Sequence, residues 1–282
     1  MIIWIASYPK SGNTWVRSLL STYLYSDDGI FNFGLLKKIK QFPSKQYFEF
    51  FLKDFTNIKK VSDYWIAAQD RINLLNNKTI FLKTHSALCT LENNIFTNKN
   101  NTKAVIHVVR DPRNVITSIS HHYSEDISKS SDFIFNKNKM LVEEEWGGKD
   151  FGISTVLGDW SDHYKSWKNI KFAPAKIVKY EDLVDNPENT FISILNFLKN
   201  FMNIDINKKK ITNVINSCSF DVLSDKEKKE GFEEASTHKK TGKKLKFFNL
   251  GKQNNWKTLL DPEIEKKTKK IFMKEMKELG YI

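Results

Sequence analysis

The segment Tyr8-Pro9-Lys10-Ser11-Gly12-Asn13-Thr14-Trp15 carries the residue types of an anion cradle. It separates a short apolar run, Ile2 to Ala6, from a stretch with apolar residues at helical spacing, Thr14 to Leu24. The sequence therefore predicts a strand-to-helix junction, where unpaired backbone N–H groups and the helix dipole converge on a negative charge. Gly12 permits close backbone approach, Lys10 adds a point charge, and Ser11 and Thr14 add hydroxyl donors. The lysine precedes the glycine, and no Gly-Lys-Ser/Thr triplet offers a Mg²⁺-binding hydroxyl, so the pattern departs from that of nucleoside triphosphatases. The bland alternative is a Ser/Gly turn with a surface lysine.

A second junction follows the same logic. Val108-Val109-Arg110-Asp111-Pro112 runs from an apolar strand into a helix with proline in its first turn. Arg110 ends the strand, and Ser118 falls about two helical turns later on a face that can point back at the same anion. Arginine suits phosphate because its planar fork binds two oxygens at once. Here the bland alternative makes Arg110 and Asp111 ion partners at a helix cap. At a third strand end, Lys83-Thr84-His85 places a cation beside an imidazole that titrates near neutral pH. His121-His122 follow the Ser118 helix and could line a ligand mouth; as adjacent residues they do not share a helical face, which disfavours metal ligation. Two anion sites on two strand ends fit one ligand with two separated charges.

The elements that position these groups are short, β-branched strands separated by helices: Ile2 to Ala6, Ile80 to Thr84, Ala104 to Val109 and Lys176 to Tyr180, with helices from Thr14, from Asp111 to about Tyr123 and from Glu188 to Lys199. That order predicts an α/β fold of the P-loop type, a central parallel sheet flanked by helices on both faces, with the ligand site at the carboxyl ends of the strands. Residues 1–282 are expected to form a single domain. Ile127 to Phe151, with mixed charge and Gly147-Gly148, is expected to be a long loop or lid, and Ser224 to Lys246 a mobile segment. A last helix is expected from about Pro262 to Leu279.

Composition narrows the function classes. Of 282 residues, 40% are hydrophobic and 28% charged, as in folded globular proteins. The net charge of +12 favours anionic partners, although much of it lies in Lys-rich stretches that read as solvated surface. Two cysteines, Cys89 and Cys218, support neither a disulfide framework nor a cysteine zinc site, and no metal site is expected. The N-terminus reads as a first strand rather than a signal peptide, and no apolar run reaches the roughly 20 residues of a membrane helix. The expectation is a cytoplasmic protein with no stable membrane insertion and no nucleic-acid partner.

The octapeptide Tyr8 to Trp15 resembles the 5′-phosphosulfate-binding loop of the sulfotransferase family, Y-P-K-S-G-T-T-W, with Asn13 in place of a threonine. Arg110 and Ser118 match the family's R-x-x-x-x-x-x-x-S block, which holds the donor's 3′-phosphate. Lys179-Tyr180-Glu181-Asp182-Leu183 resembles [KR]-Y-E-D-L, and Ser219-Phe220 resembles S-F-x-x-M with Leu223 closing the element. Gly251-Lys252-Gln253-Asn254-Asn255-Trp256-Lys257 is similar to R-K-G-x-x-G-D-W-K, although Asn254 and Asn255 replace Gly and Asp. The resemblance implies that 3′-phosphoadenosine 5′-phosphosulfate (PAPS) is the donor and adenosine 3′,5′-bisphosphate (PAP) the product. It also implies that Lys10, Ser11, Gly12, Asn13, Thr14, Trp15, Arg110, Ser118, Tyr180, Phe220, Gly251 and Lys252 bind the nucleotide. Leu82-Lys83-Thr84-His85 resembles the family's K-T-H motif, which makes His85 the general base, with Lys83 and Lys10 balancing charge.

The acceptor stays open: a small molecule, lipid or glycan. Phe31, Phe33, Phe48 and Phe51 admit an aromatic or lipid acceptor and equally a plain core. Oligomeric state is also open, since the family's dimerisation signature is not evident. Two other classes share features with this reading. A P-loop kinase or nucleotide hydrolase has the same cradle, and a non-catalytic binder of anionic glycan would use the same positive charge.

Overall fold

The computed structural model describes residues 1–141, 153–238 and 241–282, with the backbone alone described for Lys252. Its strands are β1 (Ile2–Ser7), β2 (Lys40–Gln41), β3 (Ile80–Thr84), β4 (Thr90–Leu91), β5 (Asn94–Ile95), β6 (Thr102–Val109), β7 (Met140–Leu141), β8 (Thr155–Val156) and β9 (Ala175–Lys179). Five of them form one parallel sheet in the order β2-β3-β1-β6-β9, flanked by helices. The other four make two short antiparallel pairs.

Every residue of β1 is buried, and alternate residues serve opposite faces. Ile3 and Ile5 pack with Val16, Leu19 and Leu20 of the helix Asn13–Tyr25, α1. Ile2, Trp4 and Ala6 pack with Trp65, Ala68 and Ile72 of the helix Trp65–Asn76. A strand covered on both faces has no solvent side, which explains an unbroken apolar run instead of alternation.

Trp4 anchors the second face. Its ring centroid lies 5.7 Å from that of Phe42 and 5.5 Å from that of Phe96, and its indole N–H donates to Thr102 Oγ1 at 3.0 Å. Emptying that volume beneath the central strand is expected to cost about 3–5 kcal/mol in a Trp4→Ala variant. Urea unfolding measures this, and a loss below about 1 kcal/mol would contradict tight packing here.

Several boundaries differ from expectation. β9 stops at Lys179 because Tyr180 already opens the helix Tyr180–Asp185. The stretch from Ile127 is not a loop at its start: Ile127–Phe135 is a helix whose N-cap Asp126 accepts from the Lys129 N–H at 2.7 Å, and Met140–Leu141 pairs with β8. The remainder of that expected lid, residues 142–151, lies outside the described residues. The expected mobile segment is likewise helical at its start, since the helix Phe220–Glu230 continues through Ser224 to Glu230. Its buried side is Leu223, Ser224 and Glu227, and two polar residues out of three disguise the period. Residues 239–240 of that segment lie outside the described residues. The last helix is two, Pro262–Ile271 and Met273–Glu278, divided at the fully buried Phe272.

Candidate active site

The loop after β1 turns sharply into α1 through two left-handed residues, Lys10 (φ 64°) and Gly12 (φ 101°). Gly12 is the N-cap of α1, with no side chain capping the helix, so its first N–H groups look into the loop. A Cβ on Gly12 would lie 2.6 Å from Cδ2 of Tyr180, so the ring packs directly on the loop and only glycine fits. The Asn13 side chain turns the other way, donating to Ile5 O at 2.9 Å and to Ser7 Oγ at 3.1 Å. Its Nδ2 is therefore committed to the end of β1, and its main-chain N–H stands in the first turn of α1.

At the end of β6, Asp111 caps the helix Pro112–Tyr123 and pairs with Arg113, whose Nη2 lies 2.6 Å from Oδ2. Asp111 is thus not the partner of Arg110. Arg110 Nη1 donates instead to Lys10 O and to Ser118 Oγ, each at 3.0 Å, and its guanidinium lies 4.0 Å from the centre of the Tyr180 ring. Asn254 Nδ2 also donates to Ser118 Oγ, at 2.8 Å. With two donors arriving at that oxygen, the Ser118 hydroxyl hydrogen is left to donate outward.

Aromatic rings close a third side. Trp15 meets Tyr180 edge-on at 5.7 Å while its indole N–H donates to Cys218 O at 2.9 Å. Phe220 presses on Gly251 (φ 52°), where a Cβ would come within 2.7 Å of the ring. The Lys252 side chain lies outside what is described.

At the end of β3, Lys83 and His85 are 3% and 6% exposed. His85 Nδ1 is 2.8 Å from Ser7 O. A carbonyl can only accept, so Nδ1 carries the proton and the lone pair sits on Nε2. His163 Nε2 lies 3.1 Å from His85 O and must donate to it. Burial first, then the neighbouring Lys83 charge, holds the His85 pKa well below its ordinary value, so the ring is neutral at physiological pH. Desolvation also lowers Lys10 to about 7 and Lys83 to about 8, against the opposing pull of Glu234.

Glu234 itself reaches in from beyond the helix Phe220–Glu230. Its Oε1 lies 2.6 Å from Arg17 Nη1, its Oε2 accepts from Thr14 Oγ1 at 2.9 Å, and the same oxygen is 3.6 Å from Lys83 Nζ. Burial opposes its ionisation, but Arg17 and then Lys83 outweigh that and hold the carboxyl far below the usual range.

One cavity of about 930 Å³ joins these groups at the carboxyl ends of β1, β3, β6 and β9. Lys10, Gly12, Asn13, Thr14, Trp15, Lys83, His85, Arg110, Ser118, Tyr180, Phe220 and Gly251 all line it, as do His121 and His122. Ser11 is 1% exposed and does not. Of the four phenylalanines considered for the acceptor, Phe33 reaches the cavity, whereas Phe31 and Phe48 belong to the core and Phe51 packs against it.

A model of the Sulfotransferase domain matches residues 2–280. The chain belongs to the sulfotransferase family. Curated relatives of this sulfotransferase include luciferin sulfotransferase of Photinus pyralis, 25% identical over 275 residues, which cover 92% of this chain and 67% of that protein. Sulfotransferase 1B1 of Canis lupus familiaris is 25% identical over 282 residues, covering 96% and 82% of the two chains. The crystal structure of mouse sulfotransferase SULT7A1 complexed with PAP superposes with a TM-score of 0.57 at 19% identity, over 97% of this chain and 83% of that one. The fold is therefore that of a sulfotransferase, and membership in the family makes this chain an enzyme of sulfuryl transfer. No helix among the described residues is long and apolar enough to cross a membrane.

Two residues of the sulfotransferase site escaped sequence reasoning. Asn254 stands where the family's motif has glycine, and its amide reaches Ser118. Glu234 sits in a Lys- and Glu-rich run with no periodicity to single it out.

Proposed function

We propose that the chain transfers the sulfuryl group of PAPS to a hydroxyl or amine of a small-molecule, lipid or glycan acceptor, as one domain over residues 1–282, with His85 as general base. The observation that carries this reading is Arg110, which donates both to Lys10 O in the first loop and to Ser118 Oγ beside the second, making one rigid unit of two anion sites. One buried polar atom of a cavity-lining residue also suits an anionic ligand: Arg110 Nε has no hydrogen-bond partner among the described residues. That the mouse structural neighbour was solved with PAP supports the same donor. Plant relatives named cytosolic sulfotransferases support a cytoplasmic location.

When bound, PAPS supplies a sulfuryl group on a good leaving group. Lys10, Thr14 and the main chain of Ser11, Gly12 and Asn13 hold its 5′ end. Arg110 and Ser118 hold the 3′-phosphate, with Gly251 and Lys252 beside them, and Trp15, Tyr180 and Phe220 enclose the purine. His85 Nε2 takes the proton of the acceptor, and Lys83 and Lys10 offset negative charge on the departing phosphate oxygen.

Lys10 gives this reading a pH signature. Its pKa in the ligand-free chain is lowered to about 7, whereas a bound phosphate favours the ammonium form. Binding therefore takes up a proton once the pH exceeds that value. PAP affinity is expected to be full below about pH 7 and to weaken by up to about tenfold per unit above it. Calorimetric titration with PAP between about pH 6 and 9 reads this directly. Absence of binding across the range, or equal affinity for a ligand lacking the 3′-phosphate, would sink the donor assignment.

A further inference from the structure

Glu234 brings a negative charge to the side of the cradle that an incoming phosphosulfate needs. Its carboxylate accepts from Thr14 Oγ1 at 2.9 Å and lies 3.6 Å from Lys83 Nζ. α1 has no acidic residue in its first turn and no side-chain cap, so this anion comes to the helix N-terminus from a distant part of the chain. We propose that Glu234 is a built-in competitor of the donor: its carboxylate stands in for the donor's 5′ anionic group at Thr14 and Lys83, and it yields both when the nucleotide binds. The proposal rests on PAPS being the donor.

The geometry provides both the conflict and its resolution. Two anions sharing one ammonium and one hydroxyl repel each other strongly in a cavity where water screens little. Arg17 gives the carboxylate somewhere to stay. Its Nη2 is fixed by Leu36 O at 3.2 Å and Ile39 O at 3.1 Å, while Nη1 holds Glu234 at 2.6 Å. Glu234 can therefore swing off Thr14 and Lys83 without losing its arginine. The carboxylate moves by its own side-chain torsions: Phe232 and Ala235 anchor the backbone in the core, while Gly231 has φ 73° with nothing within 4 Å of where a Cβ would stand and residues 231–236 have no regular secondary structure. The neighbouring Glu233 pairs with Lys37 at 2.6 Å, with side chains 78% and 65% exposed, and such surface pairs tether weakly. The carboxylate thus offsets the charge of Lys83 and Arg17 and lowers donor affinity below what the cradle alone would give.

The test titrates PAP, adenosine 5′-monophosphate and adenosine 3′-monophosphate into the unaltered protein, Glu234→Gln and Glu234→Ala, with circular dichroism to show that each is folded. Both variants are expected to bind PAP and the 5′-monophosphate about tenfold more tightly, equivalent to 1.4 kcal/mol. Affinity for the 3′-monophosphate is expected to stay within about twofold. Unchanged or weaker binding of the 5′-phosphorylated ligands would overturn the proposal, and so would equal tightening of the 3′-monophosphate, which signals a general charge effect. In the unaltered protein, hydrogen–deuterium exchange over residues 231–236 is expected to rise on adding PAP, and unchanged exchange would overturn the proposal even if the variants failed to fold. If the unaltered protein binds PAP but the variants bind no tighter, the competitor role alone fails. If none of the three proteins binds PAP, the donor assignment fails and takes the competitor with it.

Discussion

His85→Ala is expected to lower kcat by about 10²–10⁴-fold, the usual contribution of a positioned base, while the Kd for PAP stays within about twofold. The split follows from where the imidazole sits. It lies at the end of β3, with Nδ1 tied to Ser7 O at 2.8 Å and the main chain steadied by His163 through His85 O. Neither contact belongs to the two anion sites, so removing the ring takes away the Nε2 lone pair and leaves the nucleotide grip intact. Burial and then Lys83 hold the His85 pKa well below its ordinary value, so the ring is neutral and its lone pair unprotonated across the physiological range. Rates with labelled donor, paired with PAP calorimetry, measure both quantities. Equal losses in kcat and donor affinity would remove His85 from the base role.

Arg110→Ala is expected to do the opposite, weakening PAP binding by about thirtyfold or more, the lower end of the 2–5 kcal/mol seen when one partner of a buried charged contact is truncated. Arg110 is 6% exposed and joins Lys10 O to Ser118 Oγ. Its loss therefore removes a charge and also unties the two loops. The weakening should shrink for adenosine 5′-monophosphate, which lacks the 3′ group, and calorimetry on both ligands checks it. A Kd within about twofold of the unaltered protein for both would show that the second anion site lies elsewhere.

The parts of this site that were legible in the sequence are those whose chemistry is local. Lys10, Gly12 and Thr14 fall within five consecutive residues at the junction of β1 and α1, and Ser118 follows Arg110 at a separation of 8 residues, which helix geometry brings back to the strand end. The sheet was legible for a similar reason: β1 is buried on both faces, and its apolar run stands out without comparison to any other segment. What stayed hidden depends on long-range approach by polar residues. Glu234 meets Thr14 across 220 positions and Asn254 meets Ser118 across 136, and no periodicity marks either. Helix Phe220–Glu230 was hidden because Ser224 and Glu227 face inward; Glu227 uses both carboxylate oxygens to hold the N–H groups of Phe247 and Phe248. The hold of Asn13 on Ile5 O was hidden as well, because the demand of that carbonyl for a donor at the end of β1 is invisible until the strand is placed.

The order β3-β1-β6-β9 turns the sheet into a ruler. Neighbouring strands stand about 4.8 Å apart, so the marks at Lys83, Lys10, Arg110 and Tyr180 are spread over roughly 14 Å by main-chain ladders rather than by adjustable side chains. Phe33, Leu36, Ile39 and Gln46 border the same cavity from a segment that contributes only the two-residue β2 to this scale. The spacing of these four marks is thus set by the sheet, and the bordering stretch is tied to that scale at two places: β2 beside Lys83, and Leu36 O and Ile39 O, which fix Arg17.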